Sequence, residues 1–214
     1  MFDCQDGIWN RAAADKEFTT PFQLAAFERY VAREALVLDV GCGYGRTLDE
    51  LYRAGWRGLI GIDFSEAMIE RGRAAYPHLD LRVKRSAKKI DLPDASADAV
   101  ILFAVLTCIS SNAEQERMIS EIRRVLRPGG ILYVNDFLLN SDERNRARYG
   151  KFKDKYGEYG VFELPEGAVC RHHDEKRIKE LLSGFTELEY SRLTFTTMNG
   201  HTSNGFYFIG RAKG

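Results

Sequence analysis

The 214-residue chain has no net charge, since 31 lysines and arginines meet 31 aspartates and glutamates. The broad basic field that draws nucleic-acid binders to their ligand is therefore absent, and nucleic acid is not expected as a partner. No apolar run approaches the roughly 20 residues needed to span a bilayer. The opening MFDCQDGIWN has neither the basic nor the apolar stretch of a secretory leader. A cytoplasmic protein with no membrane partner is expected. Cysteines are few and scattered, at Cys4, Cys42, Cys108 and Cys170, with no CxxC spacing. This pattern argues against a disulfide framework, so reduced thiols and no metal site are expected. Internal repeats and low-complexity linkers are lacking too, so nothing divides the chain, and one domain over 1–214 is expected.

What is present is alternation. Strand-like runs (ALVLDV, GLIGIDF, LDLRV, ADAVILFAV, GGILYVNDF) are separated by amphipathic helical runs (GRTLDELYRAG, SEAMIERGRAAY, NAEQERMISEIRRVL). Parallel strands joined by crossover helices produce this rhythm, which predicts an α/β fold with a doubly wound, mostly parallel sheet and helices on both faces. After Phe137 the rhythm breaks into a charged, tyrosine-rich insert over 138–173. It resumes with the helix DEKRIKELLSG and two strands, FTELEYSRLTF and FYFIGRAK, joined by a short connection. Two strands without a crossover helix between them must pair antiparallel, so the sheet is expected to end in a hairpin. At the other end, TPFQLAAFERYVAR predicts a helix opening at Pro21 and capped by Thr20, within a helical cap over 1–34.

The stretch VLDVGCGYGRTL places Gly41, Gly43 and Gly45 at the carboxyl end of the first strand, where ligands of open parallel sheets sit. Glycines there allow torsions closed to other residues and bring backbone N–H groups up to a ligand. A dinucleotide loop wants GxGxxG, but Arg46 stands at the third glycine's place, and Asp39 beside the loop would repel a pyrophosphate. A ligand that carries both a cation and a carboxylate fits better. Asp63 ends the next strand, 20 residues after Gly43, where a carboxylate can accept both ribose hydroxyls. With Ser65 available to cap the following helix, Asp63 is expected to be free for that role.

These stretches resemble the motifs of the class I S-adenosylmethionine-dependent methyltransferases. VLDVGCGYG is similar to the first motif, GIDFSEAMIERGRA to the second, and SAKKIDLPDASADAVI and VLRPGGILYVNDF to later ones, from about residue 35 to 137. The resemblance implies a seven-stranded Rossmann-like sheet with a reversed last strand, and S-adenosylmethionine as cofactor with S-adenosylhomocysteine as product. It implies Asp39 and the glycine loop, with Cys42 and Arg46, at the cofactor's amino-acid end, Asp63 on the ribose, and Phe64 and Met68 at the adenine, with Phe103 completing the set. Where the family often has an aspartate for the adenine amino group this chain has Ser86, so a hydroxyl contact or the Ala87 backbone is expected instead.

Topology brings further residues to the same edge: Asp136 at the end of the fifth strand, His172 and His173 after the insert, and His201 in the last turn. Histidine suits general-base work near neutral pH, and the three histidines and Asp136 are the catalytic candidates. Trp9, Phe18, Tyr149, Tyr156 and Arg171 are the acceptor-side candidates. The insert reads as a lid whose aromatics pack on substrate, with Arg171 as anion anchor. Methyl transfer to a small acceptor is the leading expectation, with anionic metabolites first among the candidates. An RNA or protein methyltransferase docking through the basic insert, or a binding protein without catalysis, are the alternatives.

Overall fold

The computed structural model describes residues 5–14, 17–84, 89–196 and 200–213. The strand β1 (Val37–Val40) is buried along its whole length, because helices cover both sheet faces and leave no residue for solvent. Around it lie β2 (Leu59–Asp63), β3 (Asp80–Val83), β4 (Ala97–Phe103) and β5 (Leu126–Phe137). The helices α3 (Arg46–Arg53), α4 (Glu66–Ala75) and α5 (Asn112–Val125) connect them. Beyond β5 come β8 (Phe185–Thr196) and β9 (Thr202–Ala212), in the seven-stranded order β3-β2-β1-β4-β5-β9-β8. All pairs from β3 to β5 are parallel, while β9 runs antiparallel to both β5 and β8. The doubly wound sheet and its terminal hairpin are as the alternation predicts.

The chain leaves β1 toward β2 and β3, then crosses back to β4 on the other side, so the order reverses between β1 and β4. That switch point opens a crevice at the carboxyl edge. One core joins α5 and α7 (Glu175–Leu181) to Leu38, Val40, Val100, Leu102, Leu132 and Val134. The other joins α2 (Leu24–Phe27), α3 and α4 to Val37, Ala99, Ile101, Ile131 and Tyr133. Odd-numbered positions of β1, β4 and β5 therefore face α2 and α3, and Asp39, Phe103 and Asn135 share that parity.

Two expectations need correction. The helix expected to open at Pro21 is the single turn α2, its N-cap is Gln23 rather than Thr20, and no side chain caps it. The reason is tertiary: the Gln23 N–H donates to Tyr133 Oη at 3.2 Å and Arg46 Nη2 donates to the Thr20 carbonyl at 2.6 Å, which holds the segment extended. The insert, read as a charged, tyrosine-rich break in the alternation, has order of its own: the helix α6 (Glu143–Tyr156), capped by Asp142, and a hairpin of β6 (Val161–Glu163) and β7 (Val169–Arg171). Among the described residues no helix is long and apolar enough to cross a membrane.

Candidate active site

The glycine loop is shaped by what lies against it. Gly41 has φ +76°, and a Cβ there would come 2.5 Å from a Val105 methyl; Gly43 has φ +54°, and a Cβ there would meet the Phe18 ring at 2.9 Å. Neither position has room for a side chain, and both need the left-handed region that favours glycine. Asp39, just below the loop, is 2% exposed. Its Oδ1 has no hydrogen-bond partner among the described residues. Burial pushes its carboxyl up to about 7, the Asp63 carboxylate pushes the same way, and Arg46 partly offsets both.

Asp63 is not left free, as its sequence context suggested. Its Oδ2 accepts the Gly43 N–H and its Oδ1 the Ser65 N–H, each at 2.8 Å. Ser65 does cap α4, with Oγ accepting the Met68 N–H at 3.2 Å. The two backbone bonds fix the Asp63 carboxylate at the loop and favour its ionised form against burial, which raises its pKa. A carboxylate has about four acceptor sites, so Asp63 keeps acceptor capacity beyond these backbone bonds.

The N-terminal segment roofs this loop. Phe18 stacks on Tyr44 with ring centroids 5.4 Å apart, Trp9 lies 6.5 Å from Phe18, and Arg71 covers Tyr44 at 4.1 Å. Asn10 Oδ1, on α1 (Asp6–Ala12), accepts the Ser65 hydroxyl at 2.7 Å and the Ala67 N–H at 3.2 Å. Met68 is buried with Tyr44 and Ala13 under this roof, which gives it a packing role that the adenine assignment did not anticipate. The Cys42 thiol is also buried, lies 3.5 Å from the Gly43 carbonyl, and is pushed well above its ordinary pKa by desolvation. Phe64 is half-buried, with the buried Lys84 ammonium 5.1 Å from its ring. The Arg46 guanidinium stands 5.7 Å over the Phe103 ring. Ser86 and Ala87 lie outside the described residues.

The expected bases meet a different fate. His172 Nδ1 lies 2.7 Å from Tyr149 Oη and 3.1 Å from Asn140 Nδ2, and its ring stacks on Phe137. Burial, reinforced by Arg148, holds it well below its ordinary pKa. His173 Nδ1 faces the Phe137 carbonyl at 3.2 Å, which requires an N–H there, and leaves Nε2 to accept from Gln115 Nε2 at 2.8 Å. Burial and then Arg171 lower it to about 3. Both rings are buried and bonded inside the fold, and their lowered pKa values make them poor proton acceptors, which argues against the general-base roles expected for them. Tyr149 is spent in the same network. Asp136 takes the cap role: its Oδ1 accepts the Phe137 N–H at 2.8 Å, and its Oδ2 the Thr107 N–H at 3.2 Å in the 3-10 turn Leu106–Cys108. Desolvation raises it to about 7.

Arg171 is 4% exposed; it donates to the Ser110 carbonyl at 2.8 Å and pairs with Glu158 at 3.4 Å, so it is not an open anion anchor. Tyr156 donates to Glu163 at 2.8 Å. His201 is exposed just before β9. Tyr133 and Asn135, not among the site candidates read from the sequence, are both fully buried, with Asn135 Nδ2 donating to Tyr133 Oη at 3.2 Å. The available signal was an amide on the face that Ile131 and Tyr133 share in that strand.

A methyltransferase domain family matches residues 38–134. A solved S-adenosylmethionine-dependent methyltransferase from Methanosarcina mazei superposes with a TM-score of 0.83 at 26% identity, over 90% of this chain and 98% of that one. Residues 38–134 of the chain thus carry a methyltransferase domain, on a fold shared with an S-adenosylmethionine-dependent methyltransferase. A probable methyltransferase of that kind from Mycolicibacterium smegmatis is 40% identical over 99 residues, 46% of this chain and 37% of the relative. An eEF1A lysine and N-terminal methyltransferase from Mus musculus is 30% identical over 112 residues, 48% of this chain and 16% of the relative. The chain thus covers well under half the length of these curated relatives. S-adenosylmethionine fits the residues present: the buried Asp39 Oδ1 has no donor among the described residues, Asp63 keeps acceptor capacity, and the loop glycines admit no side chain. A pyrophosphate would meet the buried Asp39 and the half-buried Asp63 carboxylates at the same place.

Proposed function

We propose that the protein transfers a methyl group from S-adenosylmethionine to a small-molecule acceptor. The observation that carries this reading is that the chain encloses its own site edge. The Gln5 side chain donates to the carbonyls of Cys108 at 3.2 Å and Val169 at 2.7 Å and accepts the Val169 N–H at 2.6 Å. Thr19 Oγ1 donates to the Thr196 carbonyl at 3.1 Å. The N-terminal segment therefore ties to the insert, the turn after β4 and the end of β8. An edge roofed in this way favours an acceptor small enough to be surrounded.

When bound, S-adenosylmethionine supplies a methyl group on a sulfonium, which is already an electrophile. The residues of this chain bind and orient: Asp63 for the ribose, Asp39 and Arg46 for the amino-acid end, Phe64 for the adenine. His172 and His173 are buried and engaged with partners inside the fold, so neither is placed to act as the base. This supports catalysis by alignment, where proximity contributes up to about 7 to 11 kcal/mol.

A second reading, a protein acceptor, is favoured by the exposed Arg144, Arg146, Lys151 and Lys153 on α6. Incubating the protein with methyl-labelled S-adenosylmethionine and a cell extract separated into metabolite, protein and RNA fractions decides between them. Label in the metabolite fraction is the expected result. Label confined to protein or RNA overturns the small-molecule assignment.

A further inference from the structure

The charged insert holds one cation that the fold leaves without a counterion among the described residues. Arg148, on α6, is half-buried, and its guanidinium lies 3.5 Å over the Phe162 ring. Its Nε has no hydrogen-bond partner among the described residues. The carboxylates of the insert that form ion pairs take other partners: Asp142 with Arg144 at 4.0 Å, Glu158 with Arg171 at 3.4 Å, and Glu163 with Lys155. Burial lowers the pKa of Arg148, and the like charge of Arg144, one turn earlier on α6, pushes the same way. A cation taken partly out of water costs stability unless an anion meets it.

The surroundings place this cation at the edge where an acceptor must enter. Phe162 pairs with Cys170 across the β6–β7 hairpin, so their side chains share one face of it. Cys170 lies close enough to Arg148 and to Cys108, in the turn after β4, to bear on the ionisation of both. Thr107 Oγ1 donates to the Arg171 carbonyl at 2.8 Å, which docks β7 against that same turn. The Phe162 ring also meets His172 edge-on at 5.0 Å, and His172 stacks on Phe137, the last residue of β5. Arg148 therefore lies over a hairpin face that adjoins the carboxyl ends of β4 and β5, the side on which ligands of such sheets sit. The fork of a guanidinium matches the paired oxygens of a carboxylate or a phosphate.

We infer that Arg148 binds an oxyanion of the acceptor, a carboxylate or a phosphate, so that the molecule methylated is a small anion. This rests on the small-molecule reading above. The test splits the metabolite fraction of a cell extract on an anion exchanger and incubates the retained and unretained pools separately with the protein and methyl-labelled S-adenosylmethionine. Label in the retained pool is the expected result. Phosphatase treatment of that pool beforehand tells the two sources apart: lost label marks a phosphate and kept label a carboxylate, and either agrees with the inference. In Arg148→Met the apparent KM, read from dilutions of the retained pool, should rise at least about tenfold, the worth of a hydrogen bond between charged groups. Calorimetric titration of the same variant should show S-adenosylhomocysteine affinity unchanged. Should Arg148→Met fail to fold, Arg148→Lys, which keeps the charge and loses the fork, is read by the same pair of measurements. Label from the unretained pool, an unchanged KM in a folded variant, or a matching loss of S-adenosylhomocysteine affinity overturns the inference and leaves the small-molecule reading standing. Label in protein or RNA alone, or no label in any fraction, strikes that reading itself and the inference with it.

Discussion

Asp39 is the residue whose environment differs most from its sequence neighbourhood, and the difference has measurable consequences. Its carboxyl is raised from 3.8 to about 7 by desolvation. Between those values the native state holds a proton that the unfolded state has released, so the contribution of Asp39 to stability falls as pH rises from about 4 to 7. Asn cannot ionise. The stability of Asp39→Asn relative to wild type should therefore grow by up to about 4 kcal/mol between pH 4 and pH 8, as read by urea denaturation at each pH. Comparing the two proteins cancels the parallel effect of Asp136. A cation beside Asp39 favours its ionised form, so S-adenosylmethionine binding near pH 7 should release protons. Titrations in buffers of different ionisation enthalpy will show this as a buffer-dependent heat, and a heat independent of buffer would contradict it. For Asp63→Ala, which loses both the ribose acceptor and the clamp on the Gly43 and Ser65 amides, S-adenosylhomocysteine affinity should fall at least about tenfold.

Among elements, the parallel strands and their crossover helices were legible because their apolar positions repeat with the period of the structure they form. The glycine loop was legible for a similar reason: its constraint is local. The failures share a cause as well. The helix after Pro21 shrank because Tyr133 and Arg46, distant in sequence, claim the backbone groups of that segment. His172 and His173 were placed correctly in topology but given the wrong chemistry, since burial depends on what other elements lay over them. Replacing His173 with Ala should then lower stability by about 2 to 3 kcal/mol, because a buried ring and its bonds to Gln115 and the Phe137 carbonyl are lost, while the pH dependence of any methyl transfer keeps its shape. A lost alkaline or acid limb in the variant's rate profile would restore His173 as a base. The short α1 has little intrinsic stability. It depends on Asn10, which bonds to the first turn of α4. Asn10→Ala should speed proteolytic nicking within residues 5–23 without changing the overall fold, as read by timed digestion and mass spectrometry.

In the whole molecule, the sheet is a frame on which two separate additions meet, the N-terminal segment and the insert after β5. Neither closes the edge alone. Their contact through Gln5 uses a side chain in an unusual way. The carboxamide donates to the Val169 carbonyl and accepts the Val169 N–H, which is the pair of bonds a neighbouring strand would make. A single glutamine thus stands in for a third strand beside β7. The two-stranded β6–β7 sheet would otherwise offer an open edge, a template on which a second chain can extend. Gln5 is in that sense a stopper against self-association, and a protein clipped before residue 6 would be expected to lose solubility before it loses its fold.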